Sequence, residues 1–257
     1  MLEKTLAHAG VTALAAAGLA IAFSDAPMAQ GTTVFQATLG EADAKTPEVS
    51  TEELRRILAD GSAIVLDSRK RSEYVAGHIA GAHNVDAPPA EYVAAVERLL
   101  AGDKTKPLVL YCNGQFCQAS RHLAEQLLAG GFAKVRRYQL GIPIWRALGG
   151  PIEIELDGIM RIFNVDRTAV FFDARDAEEF SRGGLPGAHN VPIDQPAGGA
   201  LESAPLPRDD FNTRVVLFGR DGAQARRLAD RIGKTPFQNV SYYPGAFETL
   251  AGAIRSK

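Results

Sequence analysis

The chain states one pattern twice. Asp67-Ser-Arg69, Glu73-Tyr74 and Gly81-Ala-His-Asn-Val85 recur as Asp173-Ala-Arg175, Glu179-Phe180 and Gly187-Ala-His-Asn-Val191, at a constant offset of 106 residues. A repeat of this length is that of a whole domain, so the chain is expected to fold as two copies of one architecture. Each copy also serves as a control for the other. Residues kept in both describe the scaffold, and residues that differ mark where one copy does what the other does not. The sharpest difference is Leu110-Tyr111-Cys112 against Leu217-Phe218-Gly219, a thiol in the first copy and no side chain in the second.

Two domains need two cores, and 257 residues that are 46% hydrophobic supply them. A net charge of −2 gives no electrostatic reason to expect nucleic acid or an anionic membrane as partner. The only cysteines, Cys112 and Cys117, exclude a multi-disulfide scaffold and form no C-x2-C zinc pair. His8, His78, His83, His122 and His189 are scattered singly, so neither a metal site nor a cofactor follows from their spacing. Val11 to Phe23 is an uncharged run of the length of an export-signal core and too short to span a bilayer comfortably. Residues 1–29 therefore read as a signal peptide and residues 30–47 as a linker. On that reading the mature protein is exported, to the periplasm if its source is Gram-negative, with no stable membrane span after cleavage. A disulfide is permissible there.

The mature chain repeats one order of elements. In the first copy, residues 48–150, a helix from Thr51 to Ala59 precedes the buried strand Ile64-Val-Leu66, which ends at Asp67. A short helix near Ser72 to Ala76, an extended Ala82 to Val85 and a helix from Glu91 to Leu100 come after it. Next are the strand Pro107 to Tyr111, a helix from Ser120 to Ala129, the strand Val135 to Tyr138 and a helix from Ile144 to Leu148. The second copy, residues 151–257, shows helices at Asp157 to Phe163 and Ala223 to Ile232, and strands at Ala169 to Phe172, Val215 to Phe218 and Val240 to Tyr243. Strands alternating with helices predict an α/β fold in which each copy is a parallel sheet flanked by helices on both faces. Active-site loops in such sheets lie at the carboxyl ends of strands. Cys112 occupies that position.

A cysteine directly after a buried strand and ahead of a helix faces free backbone N–H groups and the positive end of the helix dipole. Those donors favour thiolate over thiol and make the sulfur a nucleophile near neutral pH. The same curled loop is an anion-binding nest. The competing reading is an inert core residue, since free cysteine is among the most buried types.

Taken in order, Asp67-x-Arg69, Glu73-Tyr74-x2-Gly77-His78-Ile79-x-Gly81-Ala-His-Asn-Val85, Val109-Leu-Tyr111-Cys112 and Gly141-x3-Trp145 resemble the rhodanese homology domain. The resemblance, counting both copies, covers nearly all of residues 48–257 and implies two rhodanese-like domains, the second lacking the cysteine. It implies a sulfurtransferase in which Cys112 takes the outer sulfur of a small anionic donor such as thiosulfate or 3-mercaptopyruvate. The sulfur is carried as a persulfide and passed to a thiol or cyanide. Cys112 is then the catalytic residue, and Asn113, Gly114, Gln115, Phe116, Cys117 and Gln118 form the substrate loop, with Phe116 as an apolar anchor. No Lys or Arg lies in that loop, so Arg69 and Arg121 are the candidate anion contacts.

Besides the missing loop cation, two further departures from the family pattern stand out. The first loop runs eight steps, from Cys112 to Ser120, against six from Gly219 to Ala225 in the second copy. The loop also holds the extra Cys117, which could resolve a Cys112 persulfide, form a reversible disulfide, carry the sulfur itself, or fill space. Cys112 ranks above it as carrier because it directly follows the strand. Asp67 with Arg69, and Asp173 with Arg175, recur in both copies and read as ion pairs that fix a strand end. His83 and His189 read as satisfied by backbone partners, His78 as a surface residue of a turn, and Trp145 as core lining near the cleft.

Readings from other classes remain. A Cys-x5-Arg phosphatase fails because the sixth position after Cys112 is Gln118. A thiol–disulfide exchange protein fits two loop thiols, though not at C-x-x-C spacing. A noncatalytic binding or sensory module is the third, and it suits the second copy, where Arg220, Gly222 and a bare loop could hold an anion or a protein partner.

Overall fold

The computed structural model describes residues 45–194, 201 and 204–255. The expected signal segment and most of the expected linker lie outside them. In the first copy the elements run α1 (Thr51–Asp60), β1 (Ile64–Asp67), α2 (Arg71–Val75), β2 (His78–Ile79), β3 (His83–Asn84), α3 (Tyr92–Leu99), β4 (Leu108–Tyr111), α4 (Ala119–Ala129), β5 (Val135–Tyr138) and α5 (Gly141–Ala147). The second copy continues with β6 (Ile152–Glu153), α6 (Leu156–Arg161), β7 (Val170–Asp173), α7 (Ala177–Arg182) and β8 (His189–Asn190). It ends with β9 (Val215–Phe218), α8 (Gly222–Ile232), β10 (Val240–Tyr242) and α9 (Phe247–Arg255).

The first sheet has the order β3-β1-β4-β5 and is parallel throughout. Its central strand β4 is fully buried, and its alternation sends Leu108 and Leu110 to one core and Val109 and Tyr111 to the other. The first of these cores packs against α3 and α4 through Val96, Leu123 and Leu127. The second packs against α1 and α5 through Leu54, Ile57 and Trp145. A strand buried on both faces must be apolar at every position, which is why these strands read as continuous runs. The second copy repeats the arrangement: Val215 and Leu217 face α8, while Val216 and Phe218 face α6 and α9.

The second sheet has the expected parallel core and adds one antiparallel strand at its edge. Its order is β2-β6-β10-β9-β7-β8, and β2, a strand of the first copy, pairs antiparallel with β6 at the edge. The reason is local: Ile152–Glu153 follows the Gly149-Gly150-Pro151 connection and comes straight back past the segment at 78–79, whose backbone groups need partners. Element ends also shift. The helix expected from Ile144 starts at Gly141, and that expected over Asp157 to Phe163 ends at Arg161 and continues as a π-helical turn to Asp166. Among the described residues no helix is long and apolar enough to cross a membrane.

Candidate active site

Asp67 closes β1, and its carboxylate is the hub beneath the site. Arg69 Nε donates to both carboxylate oxygens at 2.9 and 3.0 Å, and its terminal nitrogen donates to Asp67 at 2.5 Å and to the Gly77 carbonyl at 2.9 Å. The Tyr111 hydroxyl donates to the same carboxylate at 2.5 Å and accepts the Ile79 N–H at 3.0 Å. Burial, and then the Asp67 charge, push the Tyr111 phenol well above its ordinary value, so it stays a donor. Tyr111 thus fixes the end of β4 one residue before Cys112. Phe218 stands in its place in the second copy, and that Tyr/Phe difference is the sequence signal for this role.

Cys112 is 2% exposed and is joined to Cys117 by a disulfide, with the Cα atoms 6.2 Å apart. Its carbonyl accepts the Ile142 N–H at 3.1 Å. Gly141, at φ +66°, lies so close that a Cβ there would overlap the Cys112 carbonyl oxygen and the Gly114 nitrogen. Gly114 turns the loop with φ +107°, and its carbonyl accepts the Cys117 N–H at 3.0 Å. Asn113 donates its amide to Glu73 at 2.6 Å. Glu73 stands in the sequence repeat with nothing beside it that announces a part in the site. Its recurrence as Glu179, which grips Arg220 at 2.6 and 3.0 Å, is the available clue: each copy pins its loop by the same glutamate.

Among the described residues, the N–H groups of Asn113, Gly114, Gln115, Phe116 and Gln118 donate to no backbone carbonyl. Helix α4 then starts at Ala119, with Gln118 at the N-cap position and no side chain capping it. A helix start without a side-chain cap leaves orphan donors and a partial positive charge for an anion or a thiolate. The second copy has closed the same place. Asp221 caps α8 by accepting the Gln224 N–H, and Gln224 accepts the Arg220 N–H at 2.7 Å. A Cβ on Gly219 would meet the Gln224 carboxamide oxygen at 2.9 Å.

Several expected contacts fall elsewhere. Arg69 is buried and committed to Asp67 and Gly77, so it does not reach into the loop as an anion contact. Arg121 pairs with Glu125 at 3.2 Å on α4. Phe116 is 88% exposed and anchors nothing, because the loop turns on Gly114 and the disulfide instead. Arg220 is held by Glu179, whose carboxyl it draws down to about 2, and Gly222 abuts the Pro244 carbonyl, so neither offers the anion contact anticipated in the bare loop. His78 is buried rather than superficial, stacked on Tyr74 at 3.7 Å between centroids and 3.2 Å from Glu153 of the second copy. His83 and His189 are exposed instead of tied to backbone. Trp145 is buried as expected and borders a cavity of about 460 Å³ also lined by Arg55, Ile64, His83 and Arg226. That cavity reaches the start of β1 and includes no residue of the cysteine loop.

A parallel-sheet domain with helices on both faces is present here twice, and one copy alone carries cysteines, the first at the end of a central strand ahead of an uncapped helix. The chain belongs to the rhodanese-like domain family, which matches residues 50–148 and 160–253. It is 35% identical over 105 residues to the human thiosulfate:glutathione sulfurtransferase, covering 37% of this chain and 89% of that protein. It is 32% identical over 90 residues to the thiosulfate sulfurtransferase GlpE of Pseudomonas fluorescens, covering 35% of this chain and 75% of that one. Among solved structures, a thiosulfate sulfurtransferase from Pseudomonas aeruginosa is 25% identical with a TM-score of 0.39, covering 82% of this chain and 45% of that one.

Proposed function

We propose that the protein is a sulfurtransferase whose reduced Cys112 accepts the outer sulfur of thiosulfate, with sulfite leaving, or the thiol sulfur of 3-mercaptopyruvate, with pyruvate leaving as its enolate, and yields the resulting persulfide sulfur to a thiol or cyanide. The observation that carries this reading is the asymmetry of the two loops: one strand-end cysteine under an uncapped helix start, against one loop filled by its own Asp221 and Gln224. Donor N–H groups at 113–116 would hold the sulfite or pyruvate end of the donor while the thiolate attacks the sulfur to be transferred, breaking its bond to that leaving group. With Glu73 beside Asn113 and no cation in the loop, 3-mercaptopyruvate, with one negative charge on its carboxylate, suits the site better than a dianion. Export to an oxidising compartment is part of the proposal and accords with a Cys112–Cys117 disulfide. The second domain serves as scaffold or as a surface for a protein partner.

The test is intact mass after mixing reduced protein with either donor. Gain of one sulfur atom by Cys117→Ser but not by Cys112→Ser supports the assignment; no gain with either donor in any variant overturns it. A thiol–disulfide exchange role is the second reading, favoured by the disulfide itself. It predicts disulfide reduction and reoxidation without sulfur uptake.

A further inference from the structure

Three features of the first loop bear on the fate of a sulfur atom once Cys112 has taken it up. First, the two residues that lengthen the loop bring a second thiol back to the first: the turn closed by the Gly114 carbonyl and the Cys117 N–H carries Cys117 to a Cα separation of 6.2 Å from Cys112, inside the range a disulfide bridges. Second, Cys112 is 2% exposed while Cys117 is half-buried. An external acceptor must reach past the loop to touch a sulfur on Cys112, whereas Cys117 is already beside it and acts with the advantage of an intramolecular reagent. Third, Cys112 sits at the unfilled helix start, which stabilises it as the leaving thiolate when the disulfide is later opened.

We propose that Cys117 is the resolving thiol of a sulfide-releasing cycle, an inference that rests on the persulfide reading above. The Cys117 thiolate attacks Sγ of the Cys112 persulfide, forming the Cys112–Cys117 disulfide and breaking the bond to the outer sulfur, which leaves as hydrosulfide. The sulfane sulfur is reduced to sulfide and the two cysteine sulfurs are oxidised by the same two electrons. An external dithiol reductant restores the site. One of its thiolates attacks the more accessible Cys117 sulfur, Cys112 departs as thiolate and takes up a proton, and the second thiol closes the reductant's own disulfide while Cys117 is released as a thiol. The disulfide seen here is thus the state that ends each half-cycle, and the lengthened loop is the feature that separates this chain from a simple carrier.

The experiment uses the full chain, reduced with dithiothreitol and desalted, then given 3-mercaptopyruvate or thiosulfate with no added thiol. Wild type is expected to release about one hydrosulfide per chain and finish as the disulfide, two hydrogens lighter than the reduced protein and carrying no extra sulfur. Cys117→Ser and Cys117→Ala should instead retain one added sulfur and release no hydrosulfide until a thiol is supplied. If wild type keeps the added sulfur as these variants do, or carries it on Cys117 as located by peptide mapping, the resolving role is overturned and the persulfide reading stands. If neither wild type nor the variants take up sulfur or release hydrosulfide, the persulfide reading itself fails and this inference with it. Circular dichroism of both variants guards against reading a folding defect as chemistry.

Discussion

Among single residues, the Asp67 carboxylate carries more of the site than its distance from the sulfur suggests. It is fully buried, it holds Arg69 through Nε and a terminal nitrogen, and it receives the Tyr111 hydroxyl. Removing one member of such a buried pair leaves the other charge unpaired in the interior, which costs about 3–5 kcal/mol. Asp67→Asn is therefore expected to lower the urea-unfolding free energy by about that amount. A loss below about 1 kcal/mol would mean that the hub is not structural. This part of the site is legible in the sequence because Asp-x-Arg is local: Arg69 N–H bonds to Asp67 Oδ1 at 2.9 Å across two residues, and the same contact recurs at 3.0 Å between Arg175 and Asp173. His78 is illegible for the opposite reason. Its burial depends on Glu153, 75 residues further along, and nothing near position 78 announces that partner.

The elements around the two loops show how the two copies differ. Strand β4 delivers Cys112 and strand β9 delivers Gly219 in the same register against their neighbours, Asp67 facing Tyr111 and Asp173 facing Phe218. The difference lies in the loop and helix downstream of each strand. In the second copy Asp221 caps the first turn by accepting the Gln224 N–H, Gln224 takes the Arg220 N–H, and a side chain at 219 would crowd the Gln224 carboxamide and the Ala225 nitrogen. Restoring the thiol alone should consequently fail. Gly219→Cys, placed in a Cys112→Ser background, is expected to take up no sulfur from either donor by intact mass. Uptake at position 219 in that variant would show that the missing thiol was the second copy's only defect. Strands and long helices are legible from apolar runs and periodicity, whereas β2 and β6 are not, since two-residue strands carry no period and are defined only by their pairing. Loop conformation is equally hidden. The insertion can be counted, but only the turn at Gly114 decides that Cys117 comes back to Cys112 while Phe116 points out.

Across the molecule, the copies are joined by more than a linker. The antiparallel pairing of β2 with β6 puts a strand of one copy into the sheet of the other. Beside it, Arg71 pairs with Glu155, Trp145 Nε1 donates to the Pro151 carbonyl at 3.1 Å, and Glu153 accepts from Tyr242 at 2.7 Å and lies 3.2 Å from His78 Nε2. Burial alone would raise the Glu153 carboxyl, but the His78 and Tyr242 hydrogen bonds outweigh it and hold the group below its ordinary value. A carboxyl whose pKa is lower folded than unfolded contributes stability above the unfolded value, and that contribution fades as pH falls through the folded value. Glu153→Gln is accordingly expected to be less stable than wild type by about 1–3 kcal/mol at neutral pH, where the charged acceptor is lost. The gap should narrow as pH drops below the ordinary carboxylate range, because wild type then loses the same charge. Trp145 is the chain's one tryptophan and lies beside this junction, so its fluorescence during urea unfolding reports the junction directly. A gap that stays constant from neutral to acid pH would show that Glu153 acts there by shape rather than by charge.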